Sequence, residues 1–248
     1  PLAQSLKRYA MMTQTATMPR LTRRHLLATA GIAALAGCSS RNSGNAAQLS
    51  GPLELPTADA RLPLPTTADA LTDEARSGGP GKDGIPSIDD PQFIDAADAD
   101  VLGPGDPVFG VARDGVKKAY PQKILVSHEI VNDDLGGTPV AVTYCPLTGT
   151  AQGFERGNTE FGVSGRLINA NLVMYDRTTE TWWPQILATS IPGPWNESPE
   201  IRSLRQFRLI WTTWQRCQGQ HPDTRLLSTD TGHATNSRRD PYGPSDPR

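Results

Sequence analysis

From residue 108 onward, apolar residues come in short runs broken by Gly, Asp, Asn and Pro, the pattern of strands and turns rather than of long helices. Residues 108–111 and 116–120 flank Arg113-Asp114-Gly115, where Asp-Gly predicts a hairpin turn. Pro121 suits a first helical turn and predicts a helix through Ile124, Leu125 and His128 to about Val131. Asn132-Asp133-Asp134 and Gly136-Gly137 read as a turn region. Further strands are predicted at 139–144, 151–155, 161–167, 172–175, 181–185 and 225–228, with a short helix at 212–220. The sum is a β-rich α+β fold over residues 82–243, a single domain of antiparallel strands and hairpins with a few short helices. Residues 244–248 form a low-order tail.

The N-terminal third follows other rules. Arg20, Arg23 and Arg24 precede an apolar stretch of 12 residues, Leu26 to Gly37. That length suits the core of an export signal and is short of the ~20 residues of a membrane-spanning helix. Arg23-Arg24 with Leu26-Leu27 resembles a twin-arginine signal. Leu35-Ala36-Gly37-Cys38 resembles a bacterial lipobox, cleaved before Cys38, whose thiol then takes the lipid. Cleavage removes the apolar segment, so acyl chains replace it as the anchor. The expectation is an exported protein held on the outer face of the cell membrane by lipid on Cys38. Residues 1–37 are then the signal, with 1–17 an upstream extension ahead of Met18. Residues 38–81, rich in Ser, Asn, Ala, Thr, Pro and Gly, read as a disordered linker.

Composition supports loops and turns: 23 Gly and 22 Pro in 248 residues. The formal charge of −2 hides an asymmetry. Residues 1–37 hold five basic residues and no acidic ones, which leaves 19 basic against 26 acidic in the rest, a net of −7. Such a body gives no electrostatic reason to bind nucleic acid, and membrane contact falls to the anchor.

No phosphate loop, HExxH, EF-hand or dinucleotide fingerprint is present. The best chemical candidates are Cys145, His128 and Glu129. Cys145 ends an apolar strand before Pro146, where a loop can present its thiol. The turn Leu147-Thr148-Gly149-Thr150 offers backbone N–H groups to an anion. His128 beside Cys145 makes a thiolate nucleophile, and the same pair serves as ligands for copper or zinc. His221, His233 and Met174 are the further metal donors. Structural packing of a buried cysteine and histidine is the plain alternative. A Cys145–Cys217 disulfide is also open in an oxidising compartment. Glu129, Thr148, Gly149, Thr150, Asn169 and Asn171 are candidates to line a polar pocket. Asp176-Arg177 and Arg238-Arg239-Asp240 read as structural ion pairs, and Trp182, Trp183, Trp195, Trp211 and Trp214 as core or a binding wall.

The runs DGIPSIDDPQF, DGVKKAYPQKIL, HEIVND, GGTPVAVTYCPLTGT, FGVSGRLINANLVMYDR and HPDTRLLSTDTGH, with RDPYG near the end, resemble the prokaryotic family called domain of unknown function 3179. The resemblance covers most of residues 82–243 and implies a frequently exported or lipid-anchored protein, but no reaction. Two departures matter. Many members carry a second cysteine where this chain has Thr148, so a Cys-x-x-Cys pair is disallowed here. Members also continue past DPYG into more strand, whereas this chain stops at Arg248. Three functions stay open: a small-ligand- or metal-binding envelope domain, an enzyme using Cys145 with His128, and a non-catalytic interaction module.

Overall fold

The hairpin predicted at Asp114-Gly115 organises the first sheet. Strands β3 (Pro107–Arg113) and β4 (Val116–Pro121) pair antiparallel, with Val108 opposite Pro121 and Arg113 opposite Val116. Asp114 and Gly115 both have positive φ, 51° and 79°, the geometry of a type I′ turn. In this computed structural model, residues 55–234 are described. Cys38, the export signal and Arg238, Arg239 and Asp240 lie outside the described residues.

Strand-rich and with three short helices, the described chain forms three stacked sheets. The first has the order β12 (Ile210–Thr213), β3, β4, β13 (Arg225–Leu227), β2 (Phe93–Asp95). The second runs β11 (Gln206–Phe207), β7 (Thr150–Glu155), β6 (Thr138–Cys145), β5 (Ile130–Leu135). The third runs β1 (Arg76–Ser77), β8 (Phe161–Ile168), β9 (Asn171–Asp176), β10 (Trp182–Pro184). All pairings within the sheets are antiparallel except β13 beside β4, which is parallel, so the first sheet is mixed.

Strand β6 shows why the second sheet is central. Val140, Val142 and Tyr144 face one core with Phe109, Tyr120 and Leu125. Ala141 and Cys145 face another with Phe161, Met174 and Trp183. A strand covered on both faces needs apolar residues at nearly every position, which is what Val140 to Cys145 supplies. The outer layers are closed by helices. Leu71 of α1 (Ala68–Glu74) covers the third sheet with Val173 and Tyr175. Trp214 and Cys217 of α3 (Trp214–Gln220) cover the first sheet with Val108 and Leu226.

Three expectations are corrected. First, the linker does not run to Gly81. Helix α1 and strand β1 fall inside residues 55–81, and β1 pairs with β8. The pairing continues through Gly78 N–H to Gly165 O at 2.9 Å and Asp83 N–H to Val163 O at 2.9 Å. Gly165 permits this approach: its φ is +75°, and a Cβ there would sit 2.3 Å from Pro80 O. Second, Asn132-Asp133-Asp134 are strand, not turn. β5 pairs with β6 through Leu135 opposite Thr138, and only Gly136 and Gly137 make the turn. Third, no disulfide joins Cys145 and Cys217; both are free and buried in different cores.

Candidate functional site

Helix α2 (Gln122–His128) stops abruptly at Glu129. Glu129 has φ 59° and ψ −30°, a conformation usually left to glycine. Its N–H donates to Leu125 O at 2.7 Å, and its carbonyl accepts from Tyr144 N–H at 2.7 Å. One residue thus ends the helix and opens the β5–β6 ladder. A side chain other than glycine here costs about 1–3 kcal/mol of backbone strain.

The Glu129 carboxyl faces a cleft with an enclosed volume of about 20 Å³, walled by Ile85, Leu147, Val163 and Leu172. Gly78, Pro80, Gly165 and Arg166 complete it, so the segment that closes on β8 forms part of its wall. Glu129 is 7% exposed, and its carboxyl makes no hydrogen bond or ion pair among the described residues. Burial alone pushes its pKa up to about 8. The acid is therefore mostly neutral at pH 7.

Cys145 lies close by, 1% exposed. Its Sγ donates weakly to Ala170 O at 3.6 Å. Burial pushes the thiol above its ordinary value, and the charge of Glu129 adds to that push. The Thr148 hydroxyl and the N–H groups of Thr148 and Leu172 act in the opposite direction without reversing it. This corrects the expected thiolate: the environment favours the neutral thiol.

His128 turns its Nδ1 toward the chain at Pro86. Its ring is fully buried, with Nδ1 2.8 Å from Pro86 O and its ring 5.6 Å from that of His233. Burial, with the charge of His233, lowers its pKa, partly offset by the Pro86 carbonyl. The groups that shift the thiol include Thr148, Glu129 and Leu172. Among the described residues no three His, Cys, Asp or Glu side chains converge to hold a metal, so the expected copper or zinc gains no ligand set there. Met174 is core.

The remaining candidates divide. Asn171 is buried, and its amide donates to Thr148 Oγ1 at 3.0 Å and to Gln185 Oε1 at 2.9 Å. Gln185 in turn donates to Thr143 Oγ1 at 2.9 Å and Thr150 O at 3.0 Å. This chain of amides ties the Thr148-Gly149-Thr150 turn to β9. Gly149 supplies the turn's positive φ of 60°. Asn169 is exposed in the β8–β9 hairpin turn with φ 49° and is not among the residues lining the Glu129 cleft. Trp182, Trp183 and Trp214 are core, not a binding wall. Among the described residues Asp176 pairs with no arginine; Arg177 instead meets Asp89 at 2.6 Å and Glu160 at 3.0 Å. Arg166 was missed from the sequence, because a lone arginine in a strand carries no signal until β8 is placed beside Glu129.

The fold and the cleft define a β-rich domain with one strained, buried acid in a small opening. The family described as Protein of unknown function (DUF3179) matches residues 82–246, and the chain belongs to that family. Neither a curated protein nor a solved structure matches it.

Proposed function

We propose that this protein is an exported, lipid-anchored domain that binds a small polar ligand in the Glu129 cleft. One observation carries the binding reading: a carboxyl buried without a partner on a strained backbone, at a small opening between apolar walls. Burial of a carboxyl with no protein partner disfavours its charged form, and the backbone strain of about 1–3 kcal/mol adds to that cost. A purely structural position does better with glycine or an apolar residue. A ligand that hydrogen-bonds the acid relieves the cost only when bound. Against a cysteine enzyme stands the thiol itself, buried and held neutral. Export and anchoring rest on the order of basic residues, apolar stretch and Leu35-Ala36-Gly37-Cys38.

Two measurements test this. Cys38→Ala is expected to move the protein from the membrane fraction to the soluble one; unchanged membrane association refutes the anchor. Thermal unfolding of the purified protein against a library of small polar metabolites is expected to find a stabilising compound. At about 100 times its Kd, a ligand adds ~2.7 kcal/mol, a rise of roughly 5–10 °C in Tm. Glu129→Leu is expected to fold and to lose that rise. A library without any stabilising compound, or a rise that survives Glu129→Leu, refutes the binding site.

A further inference from the structure

Glu129 is not the only ionisable side chain in the cleft without a partner. Arg166 also borders it, with its side chain exposed, and its guanidinium makes no hydrogen bond or ion pair among the described residues. The two do not reach each other, so the cleft has an acid on its buried side and a free cation on its solvent side. The buried side thus offers an acid, the outer side a planar donor fork, and the wall between them is aliphatic.

We infer that the cleft takes a small zwitterion of the aminocarboxylate class, its ammonium on the Glu129 carboxylate and its carboxylate on the Arg166 guanidinium. This rests on the ligand-binding reading above and adds the ligand's class. An ammonium has donors and no acceptor, which matches an ionised carboxylate. A guanidinium binds a carboxylate through two parallel N–H···O bonds. The enclosed space of about 20 Å³ admits one water-sized group, so only the ammonium end enters and the rest of the molecule lies in the mouth. A ligand with one charge leaves either the acid or the arginine unanswered. A long apolar ligand has nowhere to go.

The test uses the full-length protein and a ladder of unbranched probes: glycine, β-alanine, 4-aminobutanoate and 6-aminohexanoate. Propionate and propylamine are the single-ended controls. Calorimetric titration at about pH 8.5, above the Glu129 pKa of about 8, is expected to show one preferred length, with both controls weaker by about tenfold or more. Glu129→Gln and Arg166→Gln should each abolish the preference, while circular dichroism shows both variants folded. Propionate binding as well as the best aminocarboxylate, or binding that survives either substitution, overturns the zwitterion. Failure of the whole ladder while a library compound still binds through Glu129 also overturns it, and leaves the ligand-binding reading standing. Failure of ladder and library together takes down both.

Discussion

Wild-type stability is expected to fall as pH rises from about 4.5 to about 8, and Glu129→Gln is expected to remove most of that fall. The cause is the buried acid. Glu129 has its pKa raised by burial from 4.5 to about 8 in the folded chain. Below the unfolded value both states hold the proton, and the folded state pays no penalty for ionisation. Between the two values the unfolded carboxyl has ionised while the folded one has not, so the unfolded state gains with each unit of pH. The slope approaches 1.4 kcal/mol per unit, and the loss levels off above the folded pKa at roughly 5 kcal/mol as an upper bound. Glutamine keeps the shape and cannot ionise. Urea unfolding from pH 4 to 9 measures the difference between the two proteins. A constant difference across that range means the carboxyl ionises freely in the folded state, and the picture of an unpartnered buried acid fails.

The second large effect is expected at Asp176. Its side chain is fully buried. Oδ1 accepts from Thr179 N–H at 2.6 Å; Oδ2 accepts from Thr179 Oγ1 at 2.7 Å and Trp183 Nε1–H at 3.0 Å. No cation is among these partners. Three donors, one of them the indole of a core tryptophan, share one carboxylate. Asp176→Ala strands the buried Trp183 indole N–H and leaves the half-buried Thr179 donors to water or Thr181, at about 1–3 kcal/mol for each group that finds no partner. The expected loss is about 3–5 kcal/mol, seen as a lower urea midpoint with an unchanged m value. Asp176→Asn keeps one acceptor oxygen but turns an NH₂ toward donors, and should lose about half as much. An alanine variant within ~1 kcal/mol of wild type would falsify this role for the aspartate.

What the sequence disclosed follows from how local each signal is. The Asp114-Gly115 hairpin is legible because its turn is set by two residues whose positive φ only certain side chains accept. Strand β6 is legible from its unbroken apolar run. Strand β5 is not, because its polar residues are buried for reasons far away in the chain. Asn132 holds Asp89 and the backbone of Phe161, and Asp133 takes Lys118 and Tyr120. Those partners turn a polar run that looks like a loop into a strand. The same non-locality hid α1 and β1, since a Pro- and Ser-rich stretch reads as solvent-bound until Gly165 makes room for it. At the site, the sequence singled out Glu129 and Cys145 together, but paired the thiol with His128. Adjacent residues look equivalent on paper. The helix end at Glu129 sends one side chain into the cleft and the other toward Pro86.

The contacts of the early chain also set an order of assembly. Leu62 N–H donates to Ser203 Oγ across 141 positions at 2.8 Å, and Thr57 bridges to Leu204. At a synthesis rate of about 5–20 residues per second, the acceptor for Leu62 appears roughly 7–30 s after its donor. Closing so long a loop carries a larger entropic barrier than forming the local hairpins, so the hairpins come first. Gly78 and Pro80 belong to the same late segment and to the wall of the cleft. The cleft is therefore expected to form in the final folding step: a chain with its hairpins formed but its N-terminal segment undocked holds Glu129 without the Gly78–Pro80 wall.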